Sequence, residues 1–209
     1  MGHKASSWYK EGENRGTLAG AHITAATISL DVHDEPIWLA TQAMAKFEHV
    51  RHRPPSALER PREIVLALAP MRSNVNLSRI VRLAGCSGIT QIIQIGPGKV
   101  DKEIARDAVE VVQVEQRRSL PPVLQKFKQD GYTIIGLEQT TDSECLYEFE
   151  FPRRCVLVIG NERDGLTDDV LDELDRVIEI PVYGRPYSYN VVTATVMAVY
   201  EYCKQFPRG

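Results

Sequence analysis

The sequence predicts an α/β fold, a mainly parallel sheet flanked by helices, and three observations carry that expectation. From residue 63 onward, short apolar runs of strand length alternate with segments of helical spacing. Some of these runs, Cys155–Ile159 above all, are apolar at every position, as in strands covered on both faces. The chain has 209 residues, 43% hydrophobic and 25% charged, enough to bury one substantial core and to carry an appendage. Disorder throughout, collagen-like repetition and a disulfide scaffold are excluded by the same composition. No apolar run approaches the roughly 18–20 residues of a membrane span. Residues 1–16 are polar and lack an apolar core, so no secretory signal is expected there. Cys86, Cys145, Cys155 and Cys203 are widely spaced with no CxxC pair, which reads as buried free thiols of a reducing cytoplasm and not as a metal site.

The elements follow in order. Residues 1–20 are poor in apolar side chains and read as a tail. A helix is predicted over 36–51, capped by Asp34, with Pro36 in its first turn and Ile37, Ala40, Met44 and Phe47 at helical spacing. Arg53-Pro54-Pro55 ends it. Lys46, Arg51, Arg53, Arg60 and Arg62 form a basic stretch, either a solvated linker or an arm that contacts a polyanion. We therefore divide the chain into an extension, 1–62, and a main domain, 63–209. Strands are predicted at 63–69, 91–95, 110–114, 132–137, 155–159 and 177–180. Helices are predicted over 74–86, near 101–108, and from Ser119 to about 129. Thr167 is placed to cap a further helix whose first turn carries Asp168 and Asp169, the sign its dipole favours. A long terminal helix is predicted over 188–206, with Ser188 at its start and Asn190 inside its first turn.

Charge is unevenly laid out. The net charge is −3, yet residues 72–128 hold 10 basic and 5 acidic side chains, whereas 138–175 hold 3 basic and 12 acidic. One half of the molecule is thus suited to face a polyanion.

Ligands of open α/β sheets bind beyond the C-terminal ends of the strands, and three predicted strand ends are rich in polar residues. In 73–82, Asn76, Arg79 and Arg82 fall near one helical face; an Asx cap from Asn74 or Asn76 with solvated arginines explains that segment equally well. In 159–165, glycines at both ends of the loop allow a tight turn and close approach of a ligand to the backbone, with Glu162 as a candidate functional carboxylate; a plain βα turn is the competing explanation. In 180–190, capping accounts for Ser188 but not for the concentration of Gly, Pro, Tyr and Asn. The Gly96-Pro-Gly98 segment lacks the third glycine of a dinucleotide fingerprint and has no P-loop spacing, so it is a turn. No HExxH, His/Cys cluster or GxSxG elbow occurs, which leaves zinc hydrolysis and serine-hydrolase chemistry without residues.

Together, in order and spacing, the three loops resemble the SpoU (TrmH-like) RNA ribose 2′-O-methyltransferases of the SPOUT superfamily. Asn76, Arg82 and Gly88 match the family's first motif. Gly160, Glu162, Gly165 and Leu166 match its second, and Ile180, Pro181, Gly184, Ser188, Asn190 and Val191 its third. The resemblance covers about 63–206. Ser78, Asn161, Arg163, Asp164 and Tyr189 depart from the commonest residues, and a tyrosine at 189 either stacks on the cofactor's adenosine or narrows its pocket.

The resemblance implies a C-terminal trefoil knot, S-adenosylmethionine as cofactor, tRNA or rRNA as partner, no metal, and a homodimer whose active site is completed across the interface. It implies cofactor contacts from Gly160, Asn161, Gly165, Ile180, Val182, Ser188 and Tyr189. It assigns catalysis to Arg82, Asn76, Glu162, Ser188 and Asn190, with Arg82 and Glu162 near the subunit boundary. Arg79, Arg82, Arg51 and Arg53 are the expected RNA contacts. Val191, Ala194 and Ala198 are expected to serve both core and dimer contacts. A noncatalytic RNA-binding or assembly protein of the same fold is the alternative, and a pocket blocked by Tyr189 would favour it.

Overall fold

A computed structural model describes residue 47, residues 49–50 and residues 53–209. Pro54–Gly209 forms one compact unit. The helix predicted over 36–51 and the cations Lys46 and Arg51 lie outside the described residues, apart from isolated positions.

The unit is built on seven strands: β1 (Ile64–Leu68), β2 (Gln91–Ile95), β3 (Gln113–Arg117), β4 (Thr133–Leu137), β5 (Glu144–Cys145), β6 (Cys155–Ile159) and β7 (Arg176–Glu179). They form a single sheet in the order β3-β2-β1-β6-β4-β7-β5, and every pairing is parallel. The helices are α1 (Asn74–Ser87), α2 (Lys102–Ala105), α3 (Ala108–Val111), α4 (Pro121–Gln129), α5 (Asp168–Leu171) and α6 (Val191–Gln205). Because all strands run the same way, their C-terminal ends share one edge, where the loops after β1, β4, β6 and β7 meet.

The fully apolar strands are central and covered on both faces. Ile64, Leu66, Leu68, Leu157 and Ile159 face a core completed by Leu77, Ile80 and Val81 of α1 and Ala198, Val199 and Tyr202 of α6. Val65, Ala67, Val156 and Val158 face the opposite way, against Leu124 of α4 and Val170 of α5. Each fully buried leucine, such as Leu66 or Leu157, contributes about 2–3 kcal/mol through apolar area removed from water. Tyr202 anchors α6: it is buried, and its hydroxyl donates to the Arg153 carbonyl at 2.7 Å.

Several expectations are corrected. The strand predicted at 110–114 begins at Gln113 and runs to Arg117, because residues 108–111 close a separate helical turn. The last sheet strand starts one residue earlier than predicted, and the two-residue β5 is too short to leave a period in the sequence. Thr167 precedes α5 as expected but makes no side-chain capping bond. The terminal helix starts at Val191, capped by Asn190, whose side-chain oxygen accepts from the Val192 N–H at 2.9 Å; Ser188 lies ahead of it. All four cysteines are free, but only Cys155 is buried; Cys86 is exposed and the other two are half-buried. Burial pushes the Cys155 thiol up to about 12.

The first residues of the compact unit, assigned by sequence to the extension, pack on it. The Arg62 guanidinium donates to the carbonyls of Ser87 and Phe206, at 2.6 Å each. Arg62 is therefore a tether between the ends of α1 and α6, and a cation engaged on two carbonyls is withdrawn from the basic stretch.

Candidate active site

The first part of the site is the turn from β1 into α1. Ser73 is the N-cap, with extended backbone, and its Oγ accepts from the Asn76 N–H at 3.3 Å. Capping is thus done by Ser73, which leaves Asn74 and Asn76 for other work. The Asn74 side-chain oxygen accepts from the Lys99 N–H at 3.0 Å. The Asn76 amide donates to Glu162 Oε1 at 3.0 Å.

Glu162 comes from the loop after β6, the strand next to β1. Its carboxylate also accepts from the backbone N–H groups of Arg72 (2.8 Å) and Ser73 (3.1 Å). Burial alone raises the Glu162 pKa, but these donors outweigh it and hold the carboxyl below the usual 4.5. A carboxylate beside the N-terminus of a 14-residue helix also has the sign the helix dipole favours. Glu162 thus fixes the β1–α1 turn against the β6 loop.

That loop is closed by Asn161 and Gly165, whose backbones exchange two hydrogen bonds at 2.9 and 3.1 Å. The Asn161 side chain ties it to the Pro70 carbonyl and to the Arg163 N–H. Gly165 has φ +67°, and a Cβ there would sit 2.5 Å from Glu138 Oε2; a Cβ on Gly160 would lie 2.7 Å from the Gly165 carbonyl carbon. Both positions need glycine on steric grounds. Glu138, at the end of β4, braces the far side by accepting from the Leu166 N–H at 3.0 Å.

The loop between β7 and α6 supplies the third wall. Together the loops enclose a cleft of about 230 Å³ with apolar walls from Leu137, Ile159, Val191 and Ala194 and polar groups from Glu138, Gln139 and Asn161. All seven positions expected to touch the cofactor line it: Gly160, Asn161, Gly165, Ile180, Val182, Ser188 and Tyr189. Tyr189 is 42% exposed, so its ring forms a wall and is not wedged into the core.

Of the five residues expected to be catalytic, Glu162 and Ser188 line the cleft, and Asn76 joins it through Glu162. Asn190 caps α6 beside Tyr189. Arg82 does not line the cleft; it lies exposed on α1, roughly 9 Å along the axis from Asn76 at 1.5 Å per residue. Arg79 and Arg53 are likewise exposed, and Arg51 lies outside the described residues. Ala198 is buried in the core and Val191 and Ala194 pack against it, as expected, and the latter two also line the cleft. The apolar residues α6 leaves open are Val196 and Tyr200, which border a second groove with Leu58, Leu83, Cys86 and Cys203. Sequence reasoning missed Glu138, Gln139 and Glu179 in the cleft. The available signal was a fourth strand end, Glu138-Gln139 directly after an apolar run. Among the described residues there is no cluster of His, Cys, Asp or Glu able to hold a metal, and no helix is long and apolar enough to cross a membrane.

The profile of the SpoU rRNA methylase family matches residues 63–200. The mouse tRNA (guanosine(18)-2′-O)-methyltransferase TARBP1 is 41% identical over 93 residues, 44% of this chain and 6% of the mouse protein. The tRNA (guanosine(18)-2′-O)-methyltransferase of Saccharomyces cerevisiae is 31% identical over 150 residues, 68% of this chain and 10% of that protein. The chain therefore spans only a small part of these two relatives. The crystal structure of the Aquifex aeolicus TrmH/SpoU tRNA modifying enzyme superposes with a TM-score of 0.68 at 25% identity, covering 72% of this chain and 78% of that one.

Proposed function

The chain belongs to the SpoU rRNA methylase family, and from that premise we propose that it transfers a methyl group from S-adenosylmethionine to a ribose 2′-hydroxyl of tRNA or rRNA. The observation that carries this reading is the convergence of seven expected cofactor contacts on one cleft beside the Glu162–Asn76 pair. The names of the mouse and yeast relatives favour tRNA as the first RNA to test.

The cleft suits the cofactor. Two facing glycines keep its floor free of side chains, apolar walls accept a purine ring, and Ser188, Asn161 and Gln139 offer hydrogen bonds to the ribose and the amino-acid tail. When bound, S-adenosylmethionine supplies a sulfonium-activated methyl group open to in-line displacement. The chain's task is to hold the ribose in line and to help remove the 2′-hydroxyl proton. A guanidinium with a pKa above about 12 does not act as a base at neutral pH. Arg82 serves instead as a fixed cation that binds the adjacent phosphate and stabilises the developing alkoxide, and the proton leaves to that phosphate or to water. Asn76 and Glu162 fix the start of α1, the helix that carries Arg82, against the β6 loop, while Ser188 and Asn190 hold the target region.

Arg82 is absent from its own chain's cleft, which accords with an active site completed by a second copy. The open groove along Val196 and Tyr200 is the face we assign to that homodimer. The C-terminal knot belongs to the same reading: β6 lies between β1 and β4, strands that precede it in the chain, and α6 follows from the adjoining loops.

The test is incubation of the full chain with methyl-labelled S-adenosylmethionine and unmodified tRNA or rRNA. Label in RNA is the expected result. Absence of label from both RNAs contradicts the reading and favours a noncatalytic RNA-binding protein.

A further inference from the structure

The charge asymmetry of the sequence becomes a spatial one along the C-terminal edge of the sheet. On the β1–β2–β3 side, Arg72, Lys99, Arg117 and Arg118 are all exposed. Hydrogen bonds join the segments that carry them into one ridge starting at the cleft. Glu162, in the cleft wall, holds the Arg72 N–H, and Asn74 two residues on holds the Lys99 N–H. The Gly96 carbonyl of the same turn accepts from the Gln116 side chain, and Arg117 is in register with Ile95. The Gly96–Lys99 turn is therefore not idle; buried Gln94 donates to the Gly98 carbonyl at 2.7 Å and fixes the turn that presents Lys99.

Among the described residues, no carboxylate pairs with Arg72, Lys99 or Arg118, and Arg117 pairs with Glu115 at 2.5 Å. On the other side of the cleft the strand ends carry acid instead: Glu138 follows β4, Asp142 lies between β4 and β5, and Glu179 ends β7. The cleft sits at the boundary between the two signs. None of these four cations belongs to the three loop motifs, and none is needed to build the cleft.

We infer that this ridge is a phosphate track, along which the backbone of the RNA substrate runs from the cleft across the ends of β1, β2 and β3, with the acidic half keeping RNA off β7 and β5. Arg72 and Lys99 are the inner contacts, Arg117 and Arg118 the outer ones. Two strand spacings separate β1 from β3, roughly 10 Å, so the ridge spans only a few phosphates. Its contribution is sequence-independent affinity and approach direction, while base-specific contacts lie elsewhere. The inference rests on the proposed RNA methyltransferase activity.

The experiment uses the full chain and a pool of unmodified tRNA transcripts, with equilibrium binding measured over a range of salt concentrations. The double variant Lys99→Ala/Arg118→Ala is expected to bind roughly tenfold more weakly and to lose about 2 from the slope of log affinity against log salt, near one per phosphate contact removed. Its Tm is expected to be unchanged, and the charge-preserving pair Lys99→Arg/Arg118→Lys to restore both affinity and slope. Lys126→Ala, an exposed cation on α4 away from the ridge, is expected to leave the slope unaltered. If the unsubstituted chain binds and methylates tRNA while the double variant matches it in affinity and slope, the track is wrong and the activity stands. If the unsubstituted chain neither binds nor methylates tRNA or rRNA, the activity falls and the track with it.

Discussion

At the scale of single residues the site divides into groups that build it and groups that act in it. Glu162 builds: three donors satisfy its carboxylate, and they come from the turn that launches α1. Because its folded-state pKa lies below the unfolded value, it stabilises the fold above the ordinary carboxylate range, and that contribution disappears as pH falls through the folded value. Glu162→Gln is expected to cost about 1 kcal/mol at pH 7, a loss of roughly 2–4 °C in Tm for a domain of this size. The difference from the unsubstituted chain should shrink below the usual carboxylate pKa of 4.5; an equal Tm cost at pH 7 and at pH 3.5 would remove Glu162 from this role. Arg82 is the residue that acts in the proposed reaction: Arg82→Lys is expected to keep the fold and cofactor affinity and to lower methyl transfer by a hundredfold or so, since an ammonium cannot reproduce a planar fork on phosphate. Near-normal turnover in that variant would sink the assignment. Both residue types were legible in the sequence, but the partners of Glu162 were not, because the donors lie some 90 positions away and two are backbone groups that carry no side-chain signature. Glu138 was legible in principle and overlooked, since its strand end lacks the glycines that mark the other loops.

At the scale of elements, the strands and the two long helices could be read because burial on both faces and helical spacing leave a periodic trace. Short elements could not: β5 has two residues, and α3 has four and overlaps the apolar run that also reads as a strand. The start of α6 was misplaced because Ser188 and Asn190 are both good caps, and only the fold decides that the oxygen of Asn190 receives the Val192 N–H. The loop after β6 is the element on which the site most depends. Gly160→Ala places a methyl 2.7 Å from the Gly165 backbone, a contact that only backbone movement relieves. It is expected to abolish stabilisation by S-adenosylmethionine in a thermal-shift titration while the sheet remains folded, whereas unchanged stabilisation would place the cofactor elsewhere.

At the scale of the whole molecule, a net charge of −3 conceals a local contrast: the C-terminal strand ends carry exposed cations on the β1–β2–β3 side and acids after β4 and β7, with the cleft between them. The charge contrast is present in the linear sequence, whereas the basic ridge exists only because the strand order sets β3, β2 and β1 side by side. The order in which β6 enters between β1 and β4 is likewise invisible to composition and periodicity, since each strand is apolar whichever neighbour it pairs with. The three loops are far apart in sequence and adjacent only through that order, so the cleft is a property of the topology as much as of any motif. The most direct measurement is the chemical position of the transferred methyl. After incubation with methyl-labelled S-adenosylmethionine and unmodified tRNA or rRNA, alkaline hydrolysis leaves a 2′-O-methylated ribose in an uncleaved dinucleotide, because the 2′-hydroxyl that cleaves the backbone is blocked. Label confined to the alkali-resistant dinucleotide is the predicted result; label recovered on a base in single nucleotides would contradict the account.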